Sequence, residues 1–151
     1  MSVDRNFVAE NQAERVRLQN LVRRLSDTEL AGPMPAGWTV AAVLGHLAFW
    51  DQRILTRLVR WEGEGKGALP ETMRTIDVDW INDAAKPMLL ALPPRAAADL
   101  AVAIAEAVDD KAESVSDEFL SRNAAAGTPV NLLRAHHRRQ HLDEIEHALR
   151  R

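Results

Sequence analysis

His137 and His141 stand four residues apart in a chain with only five histidines. On a helix, positions i and i+4 project from one side, about 5–6 Å apart at Cβ. Two imidazoles at that separation can grip one metal ion. His46, far upstream, lies within another amphipathic segment. If both segments are helices facing one core, three ring nitrogens converge into a site with an open coordination position, as in catalytic zinc centres. Neutral imidazole suits zinc, nickel, copper and iron, and water held by such an ion can act as a nucleophile near neutral pH. Glu144 falls between His137 and His141 in helical projection. It reads either as a carboxylate that orients a histidine or as a weak ligand. The same spacing also occurs in helices whose histidines are merely packed or solvated.

Those residues need helices to position them. The first segment, about Asp4 to Leu25, has few helix breakers, and Phe7, Leu18, Leu21, Val22 and Leu25 share a face at helical spacing. Asn11 and Glu14 fall near that stripe, as pocket residues or as satisfied polar positions in the core. Ser26-Asp27 begins a break, and Gly32 to Gly37 is a turn-rich loop. Trp38-Thr39 opens a second helix, predicted to reach about Trp61. Val43, His46, Leu47, Trp50, Ile54, Leu58 and Trp61 share its stripe, with Trp50 and Trp61 reading as core. The glycines at 63, 65 and 67 stop it, leaving a long loop over 63–76.

Asp77 or Asp79 can cap a third helix starting near Trp80, which Pro87 should kink or shorten. Leu92-Pro93-Pro94 interrupts the chain, and Pro94 suits the first turn of a fresh helix reaching about Val115. Ser116 to Leu120 reads as a short turn or one extra helical turn. Gly127-Thr128-Pro129 is a start signal, so the final helix is expected from Pro129 to near the C-terminus. In it Val130, Leu133, His137, His141, Ile145 and Ala148 cluster within about 120°. His136 and His147 fall towards solvent or the stripe's edge. No window shows strand alternation. Four main helices argue for an all-α bundle in one domain spanning 1–151.

Composition narrows the function. A net charge of −3 and 19 basic residues scattered among 22 acids give no concentrated basic surface for nucleic acid. The absence of cysteine excludes disulfides, thiolate ligands and a cysteine nucleophile. No apolar run approaches the roughly 18 residues that span a bilayer, and the N-terminus lacks a signal-peptide pattern. A cytoplasmic protein is expected.

Gly37-Trp38-Thr39-Val40, Leu44-Gly45-His46-Leu47, Trp50-Asp51 and the terminal His137-x-x-x-His141 resemble the DinB-like superfamily. The nearest subgroup holds the DfsB/ClbS proteins and the N-terminal domain of mycothiol-dependent maleylpyruvate isomerase. Asp77 to Asn82 is similar to that subgroup's entry to its third helix, so the resemblance covers essentially the whole chain. It implies a four-helix bundle of the DinB/YfiT-like type, commonly a homodimer. It also implies a divalent metal, often nickel or zinc, on the histidines matched by His46, His137 and His141. Relatives include thiol-dependent transferases and isomerases and a hydrolase.

The leading expectation is therefore a metal-dependent hydrolase or thiol-dependent transferase acting on a small electrophile. A low-molecular-weight thiol on a divalent ion is deprotonated, so no protein cysteine is required. Glu144, Arg53 and Arg57 are the catalytic candidates. The two arginines lie one and two turns beyond Trp50, where they could bind a carboxylate or pair with Glu10, Glu14, Glu62 or Glu64. The competing expectations are a non-catalytic small-ligand or stress-response protein with a structural or empty histidine site, and a helical interaction module with no site.

Overall fold

A computed structural model describes residues 4–64, 75–126 and 129–150. Among them every named element is helical: α1 (Asn6–Arg24), α2 (Asp27–Leu30), α3 (Val40–Glu64), α4 (Thr75–Ala91), α5 (Pro94–Ser114), α6 (Asp117–Ala125) and α7 (Ala135–Leu149). A single 3-10 turn covers Pro35–Gly37. None of these helices is long and apolar enough to cross a membrane.

The expected start and stop signals act where the side chains can bond. Ser26 does more than break α1: its hydroxyl accepts from the Glu29 N–H while the Glu29 carboxylate accepts from the Ser26 N–H. This reciprocal box nucleates α2. Thr39 Oγ1 accepts from Ala42 N–H at 3.0 Å and so caps α3, which Trp38-Thr39 is expected to open. Pro94 sits at the start of α5. Ser116 caps α6 through the Phe119 N–H, so this segment is a nine-residue helix rather than a short turn.

Three boundaries differ from the sequence reading. α4 begins at Thr75, ahead of both proposed caps, and continues past Pro87 to Ala91. Pro87 is exposed, so the Asp83 carbonyl it leaves without a helical partner can face water. Much of the predicted 63–76 loop, and Thr128 of the final start signal, lie outside the described residues.

The third difference matters most. Pro129 does not open the last helix; residues 129–134 are non-helical and α7 starts at Ala135. Polar side chains satisfy that backbone in its non-helical path. Asn123 accepts from the Val130 N–H at 2.8 Å and donates to its carbonyl at 3.0 Å. Asn11 of α1 donates to the Leu132 carbonyl at 2.8 Å and accepts from the Ala135 N–H at 2.9 Å. Asn11 is thus a satisfied core residue that caps α7 from another helix.

The packing order follows the apolar faces. α3 lies against α5, α1 against both α5 and α7, and α7 also touches α3. α4 packs against α3. Leu18, Leu21, Leu44, Leu47, Leu142 and Ile145 centre one part of the core. Leu58, Trp61, Val108, Phe119 and Val130 centre the other. Trp61 is core as expected, edge-on to Phe119 with ring centroids 4.7 Å apart.

Asn11→Ala leaves a buried carbonyl and a helix-terminal N–H without partners. It should cost about 1–3 kcal/mol in urea unfolding, whereas the same change at exposed Gln12 should cost little.

Candidate metal centre and ligand cavity

α7 presents its buried face through Ala135, Arg138, Leu142 and Ile145. The stripe projected from Leu133 is therefore rotated from the true one, because Val130 and Leu133 precede the helix. His137 and His141 lie beside the buried face, both half-buried. That edge position is what lets them meet α3 and still border open space.

α3 supplies His46 from the matching edge of its own stripe. The His46 ring centroid is 5.1 Å from that of His137 and 4.8 Å from that of His141, and the latter two are 4.8 Å apart. One nitrogen from each ring lies within 4.8 Å of the others. His46 Nε2 and His137 Nε2 face each other at 3.2 Å. Two ligands of a tetrahedral zinc at 2.0–2.1 Å stand about 3.3 Å apart. The donor set and the closest nitrogen pair thus fit a divalent ion. His136 and His147 border the same cavity but do not join the group. The His136 ring is exposed, 4.0 Å from the Glu10 carboxylate.

Residues 12–146 match the family described as the mycothiol maleylpyruvate isomerase N-terminal domain. The chain belongs to that family, a member of the DinB-like superfamily. No curated protein and no solved structure matches it.

Within this DinB-like frame, Glu144 takes the orienting position. Its Oε2 lies 2.9 Å from His141 Nδ1, which fixes the ring and leaves Nε2 for a ligand. His137 Nδ1 is buried with no hydrogen-bond partner among the described residues. Burial is the main cause that pushes His46 down to about 4 and His137 down to about 3. His141 adds to both shifts, and His46, Arg134 and Arg138 add to that of His137. Rings held neutral at physiological pH are ready ligands, since metal binding requires the unprotonated nitrogen.

The cavity beside the histidines spans about 1890 Å³. Its walls include Trp38, Trp50, Asn82 and Arg134. Trp38 stands edge-on to His46 with ring centroids 5.9 Å apart. Trp50, read from the sequence as core, is half-buried and lines the cavity; its Nε1–H donates to Asn82 Oδ1 at 2.8 Å. Arg53 and Arg57 lie outside this lining. The Arg53 guanidinium stacks 5.7 Å from the Trp50 ring centroid. Burial lowers the Arg57 pKa, with Arg53 adding to the effect. Glu14 pairs with Arg17 and Arg139, so it belongs to an interhelical ion-pair set rather than the cavity.

Behind the histidines lies a buried charge network that the sequence reading missed. Arg138, fully buried, holds both Asp109 oxygens at 2.8 Å. It also reaches Asp51 at 3.2 Å and the Asn11 carbonyl at 3.2 Å. Arg134 Nε donates to Asp51 at 2.8 Å, and Arg15 reaches Asp109 at 2.7 Å. The network ties α7 to α1, α3 and α5. Burial alone lowers the Arg138 pKa, and the two carboxylates more than reverse that. One signal was available: Arg138, Leu142 and Ile145 share the i, i+4, i+7 spacing of a buried face, and Asp51 directly follows Trp50.

Arg138→Met removes one side of a buried pair and should destabilise by about 3–5 kcal/mol in chemical denaturation. Arg17→Ala, which breaks more exposed pairs, should cost under about 1 kcal/mol.

The histidine shifts set a pH dependence. The folded values lie below the ordinary 6.5, so the unfolded chain takes up these protons first. Their contribution to stability is complete above pH 6.5 and is lost as pH falls towards about 4 for His46 and about 3 for His137. Metal-free protein should therefore show a falling urea midpoint between pH 7 and 5. His137→Gln should flatten that slope.

Proposed function

We propose that His46, His137 and His141 hold a divalent cation, nickel or zinc, at the wall of a ligand cavity. In this reading the protein is a metal-dependent hydrolase or thiol-dependent transferase acting on a small electrophile. The observation that carries it is the convergence of three ring nitrogens from α3 and α7, with His46 and His137 kept neutral by burial. When bound, the ion would supply Lewis acidity and favour the deprotonated form of a water or low-molecular-weight thiol.

The chain's own residues supply the rest. Glu144 holds the His141 ring through Nδ1 and, being at the cavity wall, can take up a proton from an incoming nucleophile. The indoles of Trp38 and Trp50 give the cavity apolar walls, and Asn82 fixes the Trp50 ring. Ligand pockets usually measure about 300–1,000 Å³, so this cavity has room for a substrate and a thiol together. Arg53 and Arg57, outside the lining, would reach a substrate only at its periphery.

The arrangement of α1, α3, α5 and α7 supports reading the fold as a DinB/YfiT-like four-helix bundle forming one domain over 1–151. A cytoplasmic homodimer without nucleic-acid or membrane partners completes the proposal.

A second reading has one specific observation behind it. At 3.2 Å, His46 and His137 can share a hydrogen bond without any ion. The site would then be a structural or empty histidine cluster in a non-catalytic ligand binder.

Metal analysis of protein purified without a histidine tag separates the two. The first reading predicts about one equivalent of nickel or zinc, or its uptake on titration. His46→Ala, His137→Ala and His141→Ala should each weaken affinity at least about 100-fold, and Glu144→Gln about 10–100-fold. His136→Ala and His147→Ala should leave it unchanged. Under about a tenth of an equivalent, with no uptake on titration, would favour the second reading.

A further inference from the structure

The cavity carries a charge pattern that three histidines do not require. Asp79 and Asp83 lie one turn apart on α4, and both line it. Asn82, between them in sequence, is bonded to Trp50, so this stretch of α4 is held against the face of α3 that bears His46. Glu144 lies on the histidine wall. Both aspartates are exposed, and among the described residues neither has a hydrogen bond or an ion pair. Like charges at i and i+4 repel, so α4 keeps this pair at some cost.

Positive charge does not balance them. Arg134 is the one lysine or arginine among the described lining residues, and its Nε is committed to Asp51. Lys86 and Arg53 are near, but they lie over the Trp38 and Trp50 rings and are not part of the lining. Lys86 Nζ is held by the Ala36 carbonyl. His136 and His147 are cations only when protonated. The Trp50 ring adds an aromatic face of the kind that attracts organic cations.

We infer that this cavity selects amine-bearing ligands over carboxylate-bearing ones, with Asp79 and Asp83 as the specificity-determining residues. The inference rests on the three-histidine cavity being the ligand site proposed above. An ammonium group entering beside α4 meets two carboxylates that have no ion pair among the described residues, and an indole face. A carboxylate entering there meets like charge, and the one lysine or arginine among the described lining residues, Arg134, is tied through Nε to Asp51. An ion on the histidines would attract an anion at one point of the opposite wall, so the discrimination is clearest in metal-free protein.

Benzylamine, benzyl alcohol and benzoate differ mainly in charge and make a matched probe set. Each is titrated at low ionic strength into the protein as purified and after chelator treatment. The Trp50 indole N–H resonance is followed by NMR, and metal content is measured on the same samples. In metal-free protein, benzylamine should bind about tenfold more tightly than benzoate, with benzyl alcohol between them. In the Asp79→Asn/Asp83→Asn double variant the preference should shrink below about twofold. Benzoate binding as tightly as benzylamine overturns the inference. So does a preference unchanged in the double variant, or no response to any probe. Metal-free protein that takes up no ion yet prefers benzylamine rejects the metal reading and keeps the charge selection. Metal-bearing protein that shows no such preference once chelated does the reverse.

Discussion

The fully buried guanidinium of Arg138 sets the constraint on which the rest of this structure depends. A cation with no access to water must find carboxylates, and it finds Asp109 on α5 and Asp51 on α3. Both carboxylates accept a second arginine, Asp109 from α1 and Asp51 from the residue just before α7. The hydrogen-bonding geometry of a bidentate guanidinium is specific. It therefore fixes the rotation of α7 about its own axis as well as its distance from its neighbours. His137 is the residue next to Arg138, and His46 lies five residues before Asp51. The same contacts that satisfy the buried charge bring the two imidazoles to 3.2 Å.

Asn11 adds the second half of that constraint. By bonding to the Leu132 carbonyl and the Ala135 N–H, it sets where α7 begins. A helix starting at Pro129, as the Gly-Thr-Pro signal suggests, would carry Val130 and Leu133 on its face. The observed path instead sends Val130 and Leu132 into the core in non-helical geometry. Local start signals lost to a tertiary cap, which no reading of neighbouring residues along the chain could reveal.

The elements themselves were largely legible. Periodicity located α1 and α3, and Pro94 marked the start of α5. Ser26 read only as a break and Ser116 only as a short turn or one extra helical turn, although their hydroxyls cap α2 and α6. The histidine triad was legible because chemistry-bearing residues are few and their spacing is strict. Projection set Glu144 between the two histidines, as a carboxylate that orients one of them or as a weak ligand, and its Oε2 stands 2.9 Å from His141 Nδ1. The arginines show the limit. Arg53 and Arg57 were singled out for their place along α3, while Arg134 and Arg138 went unremarked. Whether an arginine serves solvent or a buried carboxylate depends on partners 29 to 87 positions away, and only the fold joins them. The α4 wall was hidden for the same reason: Asp79 read as a possible cap and Asp83 went unremarked, and only the bond from Trp50 to Asn82 sets them beside the cavity.

The central claim is that the buried network delivers three imidazole nitrogens to one ion. The most direct test is X-ray absorption at the nickel or zinc edge of the loaded protein, alongside the His137→Ala variant. The account predicts three imidazole nitrogens at about 2.0–2.1 Å in the parent and loss of one of them in the variant. An ion surrounded only by oxygen ligands, or an imidazole count unchanged by removing His137, would contradict it.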